Sequence, residues 1–249
     1  CGVMVEKELP ERVPQVVVAD TLQALQKLAN YWRKQSKVKL VGVTGSNGKT
    51  TVKEMIFSIL SRQASTLKTE GNLNNHIGVP LTLLRLHQQE FAVVEMGANH
   101  LGEIAELARI AAPDVGVITN TAEAHLEGFG SRKGVAQGKG ELFDALTGTG
   151  VAVINVDDEY APLWLAQTAT KQSLTFGFGA KADVWAKDDS QSVVAIATPA
   201  GEFEVNLTLP GRHNVYNALA ATSVAIALGV DTHIIKQGLE TVAPVSGRL

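Results

Sequence analysis

A glycine-rich turn between an apolar run and a helix-like pattern constrains the fold of this chain more than any other feature. The run from Leu40 to Val43 predicts a buried strand, which breaks into a turn containing Gly45 and Gly48. Lys49 follows directly and begins a pattern with helical spacing. Glycines let backbone N–H groups turn toward an anion, and the new helix adds the positive end of its dipole. The sequence therefore predicts a strand, a phosphate-binding loop and a helix.

The residues of this loop are candidates for binding a nucleoside triphosphate. Lys49 would bring a positive charge to the phosphates, and the Thr50 hydroxyl could ligate Mg²⁺. The candidate set is Gly45, Ser46, Asn47, Gly48, Lys49, Thr50 and Thr51. The common spacing G-x-x-x-x-G-K-[ST] would place glycine at position 43, where this chain has Val43. The alternative is a glycine-rich turn with a solvated lysine.

Strand-like and helix-like segments alternate after the loop, which predicts an α/β fold with a mostly parallel sheet flanked by helices. Strand-like runs recur at 91–95, 115–118 and 151–154. Hydrophobic residues make up 45% of the chain and aromatic residues 5%, which favours an aliphatic core between sheet and helices. Residues 174–209 change to short alternating runs, which predict a small antiparallel sheet at the edge. We expect one domain over residues 13–249.

Charge and hydropathy argue against several classes of function. The chain has 22 Lys and Arg against 25 Asp and Glu, and no basic stripe favours nucleic acid as a partner. The longest apolar stretch, residues 218–230, contains Thr222 and Ser223 and is shorter than a membrane span. The first residues do not resemble a signal peptide, and a single cysteine fits a reducing compartment. We expect a cytoplasmic monomer.

Two side chains beyond the loop, Glu95 and His125, could take part in metal binding. Glu95 ends a buried strand-like run, where a carboxylate needs either Mg²⁺ or an ion-pair partner. His125 lies in the loop after another such run and could be a ligand, a surface residue or a core histidine. Lys139 follows on a predicted helix and, taken alone, is a solvated lysine.

Two segments are rich in asparagine. The first contains Asn72, Asn74 and Asn75 and lies between a short strand and a helix, where asparagines either grip a substrate or form turns. The second contains Asn214 and Asn217, three residues apart on one predicted helix. Their amides could hydrogen-bond a purine or cap the helix.

Together these motifs resemble the central ATP-binding domain of the Mur ligases, the ATP-dependent amide-forming enzymes of peptidoglycan precursor synthesis. Residues 43–51 resemble the shortened phosphate loop of that family, which would explain Val43. The residues that resemble the family signature G-x-H-N-x-x-N-x-x-A-A are Gly211, His213, Asn214, Asn217, Ala220 and Ala221. Resemblance to the member acting on a UDP-N-acetylmuramoyl tripeptide is strongest at 71–85, 95–104 and 124–131.

The resemblance implies ATP and two Mg²⁺ ions as cofactors. Lys49 would hold the β- and γ-phosphates, and Thr50 and Glu95 would bind the first Mg²⁺. His125 would bind the second, together with Lys139, which matches a carbamylated lysine of the family. The remaining implied contacts are Asn217 with the adenine, Arg248 with the phosphates, and Asn72, Asn74 and Asn75 with the approaching UDP-peptide. The candidate catalytic residues are therefore Lys49, His125 and Lys139.

The resemblance also implies a reaction and a domain arrangement. ATP would phosphorylate the terminal carboxylate of the UDP-N-acetylmuramoyl tripeptide, and the amine of D-alanyl-D-alanine would attack the acyl phosphate. Residues 1–12 resemble the end of an N-terminal UDP-sugar-binding domain. Residues 244–249 resemble the junction before a C-terminal Rossmann-like domain. We expect an excised central domain that forms no amide alone.

Other functions are open at this point. Within the family, the chain could belong to the ligase that adds the third peptide residue, or to a related ligase acting on polyglutamate or cyanophycin. A P-loop kinase or NTPase is a rival from another class, but it leaves His125 and Lys139 without a role. A third possibility is a domain that only binds nucleotide.

Overall fold

A nine-stranded sheet with helices on both faces organises the residues that the computed structural model describes, which are 2–123, 126–146, 148–187 and 193–243. The strands are β1 Val3–Val5, β2 Gln15–Val17, β3 Lys39–Thr44, β4 Thr66–Lys68, β5 Phe91–Glu95, β6 Val115–Ile118, β7 Val151–Asn155, β8 Gln172–Phe178, β9 Val184–Ala186, β10 Val193–Thr198 and β11 Gly201–Asn206. The helices are α1 Thr21–Gln35, α2 Lys49–Gln63, α3 Gly78–Leu83, α4 Glu103–Ala111, α5 Leu126–Phe129, α6 Arg132–Asp144, α7 Ala161–Gln167, α8 Arg212–Ala227 and α9 Thr232–Leu239.

The sheet order is β11-β10-β9-β8-β7-β6-β3-β5-β4, with β3 between β5 and β6. Pairing is parallel from β4 through β9 and antiparallel from β9 to β11. The prediction of a mostly parallel α/β sheet with an antiparallel edge is thus confirmed. β1 and β2 form a separate parallel pair.

The antiparallel region is smaller than the sequence pattern indicated. Most of β8 falls within residues 174–209, yet this strand pairs in parallel with β7. The reason is α7, a helix that the sequence patterns did not predict and that connects the two strands. A helical crossover returns the chain in the same direction and leaves its flanking strands parallel.

Local sequence explains several element boundaries. β5, β6 and α9 have the bounds that their apolar patterns predicted. α1 begins after Asp20, whose carboxylate accepts a hydrogen bond from the Gln23 N–H at 2.8 Å. α6 begins after Ser131, whose hydroxyl oxygen accepts from the Gly134 N–H at 3.0 Å.

Both faces of β3 are buried, which places the centre of the core at this strand. Val41 and Val43 pack in the cluster that α2, α8 and α9 cover. Leu40 packs in the opposite cluster, with side chains from α1, α3 and α4. Successive side chains of a strand point to opposite faces, so a continuous apolar run suits this position. Parallel strands present their carboxyl ends at one edge, and the glycine-rich turn therefore lies beside the ends of β5 and β6.

α8 crosses this core, and eleven of its 16 residues are buried. Neither α8 nor any other described helix is long and apolar enough to cross a membrane.

Candidate functional site

The glycine-rich turn joins β3 to α2, as predicted, and its two glycines take left-handed backbone angles. The φ angle is 146° at Gly45 and 78° at Gly48. A Cβ atom at Gly45 would lie 1.9 Å from Thr119 Oγ1, and one at Gly48 would lie 2.5 Å from Asn217 Oδ1. The N–H groups of the first turn of α2 have no acceptor within the helix and are available to an anion. The geometry therefore suits a phosphate group.

Residues that follow β6 hold this loop in shape. The Ser46 N–H donates to the Asn120 carbonyl at 2.9 Å, and the Asn47 N–H donates to Asn120 Oδ1 at 3.0 Å. The Thr119 hydroxyl donates to the Asn47 carbonyl at 2.6 Å. The loop is thus held in its conformation by hydrogen bonds to Thr119 and Asn120. Sequence reasoning missed Thr119 and Asn120, although their place after a parallel strand was a usable signal.

Lys49 lies folded over the loop. Its ammonium donates to the Gly45 carbonyl at 2.8 Å and to the Ser46 carbonyl at 3.2 Å. The positive charge is therefore held beside the N-terminus of α2, where an anion would already be favoured.

Thr50 and Glu95 come together at the end of β5. Glu95 is buried, with 1% exposure, and its Oε2 accepts from the Thr50 hydroxyl at 3.1 Å. Its Oε1 accepts from the Asn74 side-chain amide at 3.0 Å. Carboxylate and hydroxyl oxygens are hard donors of the kind that Mg²⁺ prefers, so these residues fit the metal. The described residues contain no group of three or more His, Cys, Asp or Glu that could hold a metal ion.

Lys53 is a further charged residue at this position, and sequence reasoning missed it. Its Nζ lies 3.5 Å from Glu95 Oε2, and both side chains are only 2% exposed. The structure therefore contains the ion pair that was one of the two alternatives for Glu95. The usable signal was spacing, because Lys53 follows Lys49 by one helical turn and points to the same side of α2.

Lys139 is buried in α6, with 1% exposure, and its Nζ lies 5.5 Å from the centre of the Phe129 ring. Its interpretation as a solvated helix lysine is therefore wrong. The pKa of Lys139 falls to about 8. Burial is the largest cause of this fall, and the positive charge of Lys49 is the next. The lowered pKa increases the fraction of neutral, nucleophilic amine near neutral pH. His125 and Arg248 lie outside the described residues.

Two cavities lie on either side of the loop. The α8 cavity, of about 520 Å³, is lined in part by Asn47, Gly48, Asn155, Tyr216 and Asn217. The Asn74 cavity, of about 450 Å³, is lined in part by Lys49, Asn74, Asn75, Gly97 and Glu103. Both volumes are of the size that small-molecule ligands occupy. The phosphate loop connects the two, so one elongated ligand could reach both.

The asparagines have different positions. Asn217 is buried, and its amide donates to Asn214 Oδ1 at 3.1 Å. Asn74 reaches Glu95, whereas Asn75 Oδ1 accepts from the N–H groups of Ile77 and Gly78 at the start of α3. Asn75 thus performs the turn-forming role that was its alternative, and it also lines the Asn74 cavity. Asn72 is exposed, and its role in substrate binding stays a prediction.

We expect Gly48→Ala to weaken nucleotide binding and to destabilise the protein by more than the strained backbone alone requires. A left-handed angle costs an alanine about 1–2 kcal/mol, and the new methyl group would also displace Asn217. Gly179→Ala is the matched control, because Gly179 has the same φ of 78° and its Cβ would meet nothing within 4 Å. Urea unfolding and nucleotide titration measure both effects. Equal losses in the two variants would contradict the close packing of the loop against α8.

The fold and the loop define a class, the α/β domains with a phosphate loop between a central strand and its helix. The chain belongs to the Mur ligase family, because the model of the Mur ligase middle domain matches residues 43–225.

Individual relatives are similar over the whole chain. The UDP-N-acetylmuramoyl-tripeptide–D-alanyl-D-alanine ligase of Escherichia coli (strain K12) is 42% identical over 100% of this chain, which covers 56% of that protein. A crystal structure of MurF from Acinetobacter baumannii has a TM-score of 0.95 and 41% identity, covering 100% of this chain and 56% of that one. MurF ligase from Thermotoga maritima in complex with ADP has a TM-score of 0.83 and 29% identity, covering 99% and 58%. The chain thus spans about half the length of the curated relatives that it matches.

Proposed function

We propose that this chain is the ATP-binding part of an ATP-dependent ligase that joins D-alanyl-D-alanine to a UDP-N-acetylmuramoyl tripeptide. The observation that carries the proposal is the glycine-rich loop, which lines the α8 cavity with Asn47 and Gly48 and the Asn74 cavity with Lys49. Thr50, next to Lys49, is hydrogen-bonded to Glu95. Similarity to the ligases from Escherichia coli and Acinetobacter baumannii supports the choice of substrates. We assign residues 13–249 to this domain and residues 1–12 to the end of a preceding UDP-sugar-binding domain.

Nucleotide binding follows from the loop. The adenine would occupy the α8 cavity beside Asn217, and the phosphates would meet the N-terminus of α2 and the Lys49 ammonium. The binding of ADP by the Thermotoga maritima relative supports this assignment. Arg248 would contact the phosphates. Ser46, Asn47 and Thr51 would contribute to the same phosphate-binding site.

Mg²⁺, when bound, would neutralise the charge on the phosphates and on the developing acyl phosphate. Thr50 and Glu95 would hold one ion. His125 and a carbamylated Lys139 would hold a second. Lys139 can be carbamylated only as a neutral amine, and its lowered pKa of about 8 supports that chemistry.

The chain's own contribution to catalysis would be position and charge rather than a covalent nucleophile. Lys49 would hold the γ-phosphate facing the Asn74 cavity, where the tripeptide carboxylate must arrive. Asn72, Asn74 and Asn75 would line that approach. The leaving phosphate would stay at the loop while the amine of D-alanyl-D-alanine attacks the acyl carbon.

The test uses the full-length protein with ATP, a UDP-N-acetylmuramoyl tripeptide and D-alanyl-D-alanine. Mass spectrometry should detect the tripeptide conjugate extended by the dipeptide, with one phosphate released for each amide. Extension of a UDP-linked dipeptide by a single amino acid would instead favour the ligase for the third residue. Phosphate release without an amide would favour an NTPase.

In the same assay, the 249-residue chain alone should form no amide. It should also bind Mg·ATP only weakly. We infer this because the two cavities open to solvent at the edge of the sheet, and closure over the nucleotide would exclude water. We further propose that the protein is monomeric and cytoplasmic, the former being measurable by light scattering.

A further inference from the structure

Four charged side chains form a line from the position of Thr50 toward the surface. Glu95 Oε2 lies 3.5 Å from Lys53 Nζ, and the same ammonium lies 3.4 Å from Glu54 Oε1. Glu54 also pairs with Lys68. Side-chain exposure is 2% for Glu95 and Lys53 but 23% for Glu54 and 29% for Lys68. The buried end of the line is therefore the Glu95–Lys53 pair.

Burial gives this pair a different meaning from a surface ion pair. An isolated charge with 2% exposure is costly, so each partner depends on the other for neutralisation. Glu95 also accepts hydrogen bonds from Thr50 and Asn74, one on each oxygen. Its carboxylate is thus fixed in orientation and balanced in charge by protein groups alone.

Lys53 has no part in the nucleotide or metal contacts proposed above. Its ammonium forms an ion pair with the same carboxylate oxygen, Oε2 of Glu95, that accepts the Thr50 hydrogen bond. A divalent cation arriving at Glu95 would meet a positive charge about 3.5 Å from its ligand oxygen. Two positive charges at one carboxylate in a protein interior repel each other strongly enough to oppose binding of the second.

We propose that Lys53 is a positioning residue, the built-in counter-charge of Glu95, which keeps this carboxylate from binding a divalent cation until phosphates occupy the loop. The proposal rests on the proposed nucleotide site and deepens it. Phosphates at the N-terminus of α2 add enough negative charge to outweigh the ammonium. The nucleotide and the metal therefore bind together.

The test measures Mn²⁺ binding to the purified full-length protein by electron paramagnetic resonance of the free ion, with and without ADP. Wild-type protein should bind Mn²⁺ at this site only with ADP present. Lys53→Met keeps an unbranched side chain that is one atom shorter and removes its charge. It should bind Mn²⁺ without nucleotide at least about tenfold more tightly than wild type. Its melting temperature should fall in EDTA and recover with Mn²⁺.

Two further variants separate charge balance from general damage. Lys39→Met removes a lysine that also lies 3.5 Å from a carboxylate, that of Asp114, but is 58% exposed. It should leave Mn²⁺ binding and melting unchanged. Lys53→Met combined with Glu95→Gln removes both buried charges. It should melt at a higher temperature than Lys53→Met in EDTA and show no gain from Mn²⁺.

The outcomes are distinguishable. Absence of ADP-dependent Mn²⁺ binding in the wild type would overturn the proposed function itself. Retention of the ADP requirement in Lys53→Met, with a double variant no more stable than the single one, would overturn the role of Lys53 alone. If Lys53→Met folds only together with Glu95→Gln, the counter-charge role is supported. If neither variant folds, it is contradicted.

Discussion

Replacing Lys49 with alanine is expected to lower the rate of ligation by the full-length protein by about 10²- to 10³-fold or more, without unfolding it. The ammonium is the charge nearest the N-terminus of α2, and it is held there by the Gly45 and Ser46 carbonyls. Without it, the negative charge that moves during phosphoryl transfer would lose its fixed partner. The fold should survive because Lys49 is only partly buried and contributes no apolar contact to the core.

Steady-state kinetics and thermal unfolding measure the two parts of this prediction. Lys37→Ala is a suitable control, since Lys37 is exposed and lies before the opposite end of β3. It should behave like the wild type in both measurements. Near-normal turnover by a folded Lys49→Ala protein would show that the glycine-rich turn is not the phosphate site.

Lys139→Ala is expected to cause a loss of activity of similar size, partly restored by short-chain carboxylic acids. The buried amine leaves a space beside Phe129 when it is removed, and a small carboxylate could occupy the position of the carbamate. Lys133→Ala is the matched control on the same helix, because Lys133 is exposed. It should keep full activity and should not respond to added acid. Full activity in Lys139→Ala would remove this residue from the site.

The pH dependence of carbamylation follows from the sign of the pKa shift. The pKa of Lys139 falls from 10.5 to about 8, so the neutral amine appears at lower pH than it would in an exposed lysine. Capture of CO₂ should rise as the pH passes through about 8 and level off above it. Carbon-13 NMR after addition of labelled bicarbonate would follow the carbamate. A signal that begins only near pH 10 would contradict the lowered pKa.

Features that depend on neighbours in the chain were predictable, and those that depend on distant packing were not. The bounds of β5 and the turn from Gly45 to Lys49 follow from apolar runs and glycine positions within about ten residues. Lys53 and Lys139 look alike in sequence, as lysines on helical segments. Both proved to be buried, with 1% exposure, because other elements cover the faces on which they lie.

The sequence by itself determined the strand, loop and helix at residues 39–63, the parallel sheet, and the identity of the loop side chains that an anion would meet. These follow from backbone preferences and from the period of the apolar residues. Only the tertiary structure decided what surrounds those side chains. It bonds the loop to Asn120, 73 residues from Asn47, and pairs Glu95 with Lys53. Charge balance and pKa depend on which groups exclude water around an atom, and that is set by packing between segments far apart in the chain.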